Sequence, residues 1–155
     1  MTREEFGQRI TSAQGRMYRV ARGYLRGEQD CLDAISEAIC KAWQKRGALR
    51  DEQVFDPWLT RILIRECINI QRKQKRMIPV ETLPEEAALP SDNEELRQAL
   101  DALPQKLRVP VVLHYMEGYD VKEVASILHT TKGAVCSRLF HARSRLRELL
   151  KEEIG

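Results

Sequence analysis

The segment of residues 77–95 constrains the fold of this chain more than any other feature. It holds three of the six prolines, at positions 79, 84 and 90, and six acidic residues, but no lysine or arginine. Proline lacks a backbone donor and disfavours helical geometry in the residue before it, so we expect no helix to cross this segment. We predict two domains, residues 1–76 and 92–155, joined by a flexible acidic linker at residues 77–91; a structured subdomain is the alternative.

The block before the linker has the spacing of three amphipathic helices. Apolar residues recur at steps of three and four from residue 4 to residue 25, and Gly27 ends this helix. Asp30 is the expected N-cap of the second helix, which stops at Gly47. Asp56 and Pro57 provide the start of a third helix, over residues 58–75. The second helix is expected to bury Leu32, Ile35, Ile39, Ala42 and Trp43. The third is expected to bury Leu59, Ile62, Leu63, Cys67 and Ile70.

The second and third helices carry opposite charges. Asp33 and Glu37 form an acidic i, i+4 pair away from the apolar stripe, and Lys41 and Gln44 continue their face. Residues 61–76 contain six basic residues and one acid, and a basic stripe is an electrostatic track for a phosphate backbone. Solvated faces are the alternative interpretation for both helices. One face of the third helix carries Arg61, Arg65, Asn69 and Arg72. Lys73 follows these four residues.

The block after the linker begins with a cap signal at Ser91 and Asp92. A helix over residues 105–117 is expected to be kinked, or to lose a hydrogen bond, at Pro110. A turn at residues 117–120 then precedes a short helix, over residues 121–128.

A longer helix begins near Lys132, four residues after the short one, which is the pattern of a helix-turn-helix. We expect His129 to be the left-handed residue of its turn. From residue 132 to residue 147 the longer helix has five basic residues and no acid. It is expected to bury Val135, Leu139, Ala142, Leu146 and Leu149. The opposite face carries Gly133, Ser137, Phe140, His141 and Ser144, flanked by Arg138, Arg143 and Arg145. DNA binding is the interpretation that this arrangement favours.

Other function classes are not supported. The sequence has no glycine-rich phosphate loop, metal-spaced His/Cys cluster or nucleophile elbow, so we expect no enzyme activity, cofactor, bound metal or small-molecule substrate. The four cysteines lack CxxC spacing, which favours reduced thiols in the cytoplasm. The first residues do not resemble a secretory signal, and the most apolar patch, residues 109–116, is too short to span a bilayer. The net charge of +3 is too small to indicate a nucleic-acid partner by itself.

The same segments resemble those of bacterial RNA polymerase sigma factors of the extracytoplasmic-function (ECF) group. Residues 33–43, DAISEAICKAW, resemble the segment that binds the clamp coiled coil of core polymerase. Residues 55–62, FDPWLTRI, and the basic run to residue 76 resemble the segment that melts and holds the minus-ten element. Residues 103–108, LPQKLR, the EGY at 117–119 and residues 133–143, GAVCSRLFHAR, resemble the domain that reads the minus-thirty-five element.

This resemblance implies a role for each candidate residue. The polymerase-binding residues would be Asp33, Glu37, Lys41 and Gln44. The minus-ten residues would be Arg61, Arg65, Asn69, Arg72 and Lys73, with the loop over residues 47–56 capturing a flipped base. The minus-thirty-five residues would be Lys132, Ser137, Arg138, Phe140, His141 and Arg145. The implied partners are core RNA polymerase, promoter DNA and an anti-sigma factor, often membrane-anchored, in an envelope or stress response.

The chain departs from the common family pattern at four positions. Cys136 stands where a basic residue is frequent, Arg65 and Asn69 replace Asn and Asp, and His129 replaces a turn glycine. We therefore do not transfer a promoter sequence from better-known relatives. Two other hypotheses remain at this point: a stand-alone helix-turn-helix regulator of duplex DNA, and an adaptor whose basic helices bind acidic protein.

Overall fold

The computed structural model describes residues 1–76 and 94–154, which contain helices and no strand. This confirms the predicted all-α class with a helix-turn-helix near the C-terminus. Two compact units contain these two stretches. The predicted linker, together with the cap signal at Ser91 and Asp92, lies outside the described residues. In chain order the α-helices are α1 (Arg3–Tyr24), α2 (Glu28–Lys45), α3 (Phe55–Arg76), α4 (Glu94–Ala102), α5 (Gln105–Val111), α6 (Val121–Ile127) and α7 (Lys132–Ile154).

Helix α1 begins at a reciprocal cap. The Thr2 hydroxyl accepts a hydrogen bond from the Glu5 backbone N–H (3.2 Å), and the Glu5 carboxylate accepts one from the Thr2 N–H (3.1 Å). Two donors that the helix itself cannot pair are therefore satisfied. As its spacing predicts, α1 buries one apolar face against α2 and α3, formed by Phe6, Ile10, Ala13, Met17 and Val20.

Helix α2 begins earlier and packs on a different face than its sequence predicts. Its N-cap is Gly27, so the expected cap at Asp30 is wrong; Asp30 lies in the first turn and accepts a hydrogen bond from Gln74 Nε2 (2.7 Å). Leu32 is 44% exposed. In the rest of the predicted stripe Ala42 is buried, and the other residues are half-buried. The face that packs against α1 and α3 consists of small residues, which allow the close approach of neighbouring helices: Cys31, Ala34, Ala38 and Ala42.

Helix α3 begins at Phe55, so the cap predicted at Asp56 is also wrong. Asp56 lies in the first turn, and its Oδ2 is 3.0 Å from Nη1 of Arg16 on α1. Phe55 is buried and meets the Phe6 ring edge-on, with 6.1 Å between centroids. The segment before α3 contains two 3₁₀ turns, Arg46–Ala48 and Glu52–Val54. The predicted core residues Leu59, Leu63 and Cys67 are buried, whereas Ile62 and Ile70 are half-buried.

Pro110 lies inside α5, where it donates no backbone hydrogen bond, as its sequence predicts. Helix α5 leaves α geometry two residues later and continues as one turn of π-helix, Val112–Met116. The Glu117 N–H donates to the Val112 carbonyl at 3.0 Å, five residues back. This turn directs the chain into Gly118, which has a positive φ of 79° that suits glycine.

The helix-turn-helix consists of α6 and α7. Asp120 caps α6 and forms a capping box with Glu123. His129 has a φ of 54°, which confirms the left-handed residue predicted in the turn. Helix α7 buries Val135, Leu139 and Ala142 as predicted, while Leu146 and Leu149 are half-buried. Across the described ranges, no helix is both long and apolar enough to cross a bilayer.

Candidate polymerase and nucleic-acid interfaces

Helices α2 and α3 enclose a charged groove of about 740 Å³, here called the α2–α3 groove. One wall is acidic because α2 contributes Asp30, Asp33 and Glu37. The other wall is basic because the end of α3 contributes arginine and lysine. The remaining lining residues are Ala34, Lys41, Glu66, Asn69, Ile70, Arg72, Lys73, Gln74 and Arg76.

The groove brings together candidates that the sequence assigns to two different partners. Three polymerase candidates, Asp33, Glu37 and Lys41, line it. Three minus-ten candidates line it as well: Asn69, Arg72 and Lys73. The other three candidates of this unit do not line the groove: Gln44 and Arg65 are exposed, and Arg61 is half-buried.

An ion pair between the half-buried Lys41 and the buried Glu66 joins the two helices at the groove. Lys41 Nζ donates to Glu66 Oε1 at 2.6 Å, and the Glu66 side chain is only 7% exposed. The hydrogen bond to Glu66 raises the pKa of the Lys41 ammonium above its ordinary value. Sequence reasoning missed Glu66 as a functional candidate. The signal that could have found it is its position as the one acid in an otherwise basic run, which suggests an internal cation partner.

Two further hydrogen bonds hold the C-terminal half of α3 in place. Gln74 reaches Asp30 on α2, and Gln71 Nε2 donates to the Tyr24 carbonyl at the end of α1 (2.8 Å). The basic run that follows Gln71 is therefore carried on a helix that is anchored to both neighbours. Its residues are exposed from Arg72 to Arg76.

The loop expected to capture a flipped base is anchored to α1. Arg9 Nη1 donates to the Glu52 carbonyl (2.8 Å), and its guanidinium lies 5.4 Å from the centroid of the Phe55 ring. The Glu52 carboxylate also pairs with the Met1 amine at 3.3 Å. Beside the loop is a second groove of about 620 Å³, lined by Gln8, Arg9, Ser12, Glu52, Gln53, Phe55 and Asp56.

Helix α7 presents its predicted DNA face to solvent. Phe140 is 58% exposed and its ring meets that of His141 edge-on, with 5.6 Å between centroids. Lys132, Ser137, His141 and Arg145 are also exposed, and Arg138 is half-buried.

Two contacts that set the position of α7 are not evident from the sequence. The Thr131 hydroxyl accepts the Ala134 N–H (3.1 Å) and so caps the start of the helix. Arg143 Nη1 donates to the Tyr115 hydroxyl (2.7 Å), which links α7 to the π-turn. His114 Nδ1, within that turn, pairs with the Tyr119 carbonyl at 2.7 Å.

Comparison with known proteins identifies both units. Residues 10–77 match the family model for Sigma-70 region 2, and residues 93–146 match that for Sigma-70, region 4. RNA polymerase sigma factor SigV of Bacillus subtilis is 30% identical, over 94% of this chain and 92% of its own length. ECF RNA polymerase sigma factor SigM of Mycobacterium tuberculosis is 31% identical, over 96% of this chain and 78% of its own.

The chain belongs to the ECF group of RNA polymerase sigma factors. Sigma factors are initiation factors without enzymatic activity, and their domains bind core RNA polymerase and promoter DNA. Helices α1–α3 are the region 2 unit of this sigma factor, and α4–α7 are its region 4 unit. The hypothesis of a stand-alone regulator is not favoured.

Solved structures have the same fold. The sigma factor RpoE of Bartonella quintana, in complex with the anti-sigma factor NepR, superposes with a TM-score of 0.82 at 24% identity, over 96% of this chain and 98% of that one. CnrH, in complex with the cytosolic domain of CnrY, superposes with a TM-score of 0.73 at 21% identity, over 97% and 90% of the two chains.

Proposed function

We propose that this sigma factor binds core RNA polymerase through the exposed acidic face of α2. Asp33 and Glu37 lie on the acidic wall of the α2–α3 groove, and Gln44 is exposed further along the same helix. A basic surface of the polymerase would be attracted to this wall, and electrostatic complementarity of this kind favours both encounter and register.

The basic and polar side chains of α3, in the groove and beside it, would hold the separated promoter strand at the minus-ten element. Arg65, Arg72 and Lys73 are exposed on α3, and Asn69 adds an amide that can bond to a base. The anchored loop over residues 47–56 would capture one flipped base, and this capture offsets the few kcal/mol that unstacking costs. Arg61 is half-buried on the same helix and would support this surface.

The exposed face of α7 would read the minus-thirty-five element in the major groove. Ser137, Phe140 and His141 lie where a recognition helix contacts base edges, and Arg138 and Arg145 would hold phosphates, with Lys132 at the helix start. Domain limits of 1–76 and 92–155, with a linker at 77–91, complete this proposal. Such a linker would let the two units contact separate promoter elements.

Regulation by an anti-sigma factor follows from the relatives. RpoE of Bartonella quintana is solved in complex with the anti-sigma factor NepR, and CnrH is solved in complex with the cytosolic domain of CnrY. We infer a similar partner for this sigma factor, membrane-anchored or soluble, acting in the cytoplasm in an envelope or stress response. Addition of that partner to a transcription reaction is expected to suppress initiation.

The observation that carries the proposed function is the separation of charge, with acids on the outer face of α2 and bases on α3 and α7. Transcription by purified core polymerase from a library of duplexes with randomised promoter elements tests it. We expect transcripts only when the sigma factor is added, from templates that share two short elements. If the protein alone selects duplexes from the library and core polymerase still makes no transcript with it, the proposal fails.

A further inference from the structure

Lys41 lies between two carboxylates that compete for it. Its Nζ is 2.6 Å from Glu66 Oε1 on α3 and 4.0 Å from Glu37 Oε1 on its own helix. Arg65 lies close enough to act on Lys41 as a like charge. The position of the Lys41 ammonium group therefore determines how much of the negative charge of Glu37 it compensates.

The two carboxylates are not equivalent partners. The Glu66 side chain is 7% exposed, whereas that of Glu37 is 58% exposed. A buried carboxylate without a cation is strongly unfavourable, while an exposed i, i+4 pair contributes little because water and salt screen it. Lys41 is therefore held mainly by Glu66, at hydrogen-bonding distance, and Glu37 is its more distant and weaker partner.

We propose that Glu66 is a positioning residue that holds Lys41 closer to itself than to Glu37, so that the acidic pair Asp33 and Glu37 keeps most of its charge available to a basic surface of core polymerase. This inference rests on the proposed function of that pair. It also changes the role of Lys41: the lysine is the internal counter-ion of Glu66 and makes no contact with polymerase.

A double-mutant cycle on the full-length protein tests the inference. Glu66→Gln keeps the shape of the side chain but removes its charge, so that Lys41 is expected to shift toward Glu37. We expect the Kd for core polymerase at low salt to rise about two- to five-fold, the size of one exposed ion pair. Adding Lys41→Met to Glu66→Gln removes the competing cation and is expected to restore the wild-type Kd. In a Glu37→Gln background, Glu66→Gln is expected to cause no further loss.

These outcomes separate positioning from simple structural support. If Glu66 only stabilises the fold, the double variant stays as weak as Glu66→Gln or becomes weaker. If Lys41 contacts polymerase, the double variant also stays weak. Either result overturns the inference, as does an unchanged Kd for Glu66→Gln.

A second variant covers the case in which Glu66→Gln does not fold. Replacing the pair together, as Lys41→Met with Glu66→Leu, avoids an unpaired buried charge, and apolar replacements of buried pairs are often tolerated. This variant is expected to bind core polymerase at least as tightly as the wild type, and weaker binding by the folded variant would overturn the inference. Glu37→Gln alone separates the two proposals. If it leaves the Kd unchanged, the proposed function of the acidic pair fails together with the inference; if it weakens binding while Glu66→Gln does not, only the inference fails.

Discussion

The region 2 and region 4 units hold their functional surfaces in different ways. In region 2, charged and polar side chains link helices that are distant in sequence. Their contacts are Arg16 with Asp56, Lys41 with Glu66, Gln74 with Asp30, and Arg9 with Glu52. The surface they hold is a groove between two helices, so its shape and its charge depend on the same side chains.

Region 4 has an apolar core as region 2 does, and turn chemistry lies at the edges of its functional surface. Asp120 and Thr131 each cap the helix that follows them, by accepting a hydrogen bond from the backbone N–H three residues later. His129 adopts the left-handed conformation in the turn between these two helices. The buried apolar residues of this unit include Leu113, Val124 and Ile127, together with Val135 and Leu139 on α7 itself. The surface held here is the free face of one helix, which requires a stable core beneath it.

This difference predicts which substitutions affect which unit. Changes of exposed charge in region 2, outside these contacts, should alter binding with little loss of fold. Changes of apolar volume or of caps in region 4 should alter the fold first, and DNA binding as a consequence.

The largest expected effect is that of Leu139→Ala. Leu139 is 3% exposed, and truncation of a buried leucine costs about 2–5 kcal/mol because it leaves a cavity. Hydrogen exchange is expected to show lost protection in α4–α7 and unchanged protection in α1–α3. The neighbouring Phe140→Ala is the control, since an exposed residue changes stability by about 0.5 kcal/mol or less. Equal loss of protection in both units would show that they do not unfold independently.

The next effect is that of Asp33→Ala combined with Glu37→Ala. Removal of two exposed acids that face a basic partner is expected to weaken core polymerase binding up to about ten-fold. The melting temperature should stay unchanged or rise slightly, because the two like charges repel each other on α2. Glu4→Ala on α1 is a control for loss of an exposed acid. An unchanged Kd would remove this pair from the interface.

Thr131→Ala should have a smaller effect, on the start of α7. Loss of the cap is expected to cost about 1 kcal/mol in urea unfolding. The same change at Thr2 removes a cap from region 2 at a similar cost. Only Thr131→Ala should also reduce promoter affinity, because it lies at the start of the recognition helix. A loss of affinity with Thr2→Ala as well would contradict this division of roles.

The smallest effect in free energy is expected for Arg138→Ala. If Arg138 holds a phosphate, promoter affinity falls and the slope of log K against log salt becomes shallower by about one. Lys151→Ala removes the same charge from the far end of α7 and should leave the slope unchanged. An identical slope for both variants would mean that Arg138 does not contact the backbone.

Helical periodicity predicted the class, the order of the helices and the buried face of α7, because that face consists of bulky residues. It placed the buried face of α2 wrongly. Hydrophobicity favours Leu32 and Trp43, but close packing between two helices selects the smaller Ala34 and Ala38. The pattern of apolar residues in one helix gives no information about how closely that helix approaches its neighbours.

The caps and the candidate site show the same limit. Asp30 and Asp56 were predicted as caps but lie in first turns, where an acid is equally favourable beside the helix N-terminus. The acidic and basic stripes were each predicted from sequence, but their meeting in one groove depends on how α2 packs against α3. The same packing determines that Glu66 is buried and captures Lys41.

The distribution of the cysteines gives this sigma factor two natural labelling positions. Cys31 and Cys67 are buried, and burial raises the pKa of the Cys31 thiol to about 11 and that of Cys67 further, so neither forms a thiolate near neutral pH. Cys40 on α2 and Cys136 on α7 are exposed, one in each unit. Maleimide dyes at pH 7 would therefore attach once per unit, and energy transfer between them would report the separation of regions 2 and 4 in the unmodified sequence. Since Cys136 lies beside Ser137 on the DNA face, its alkylation rate would also report promoter occupancy.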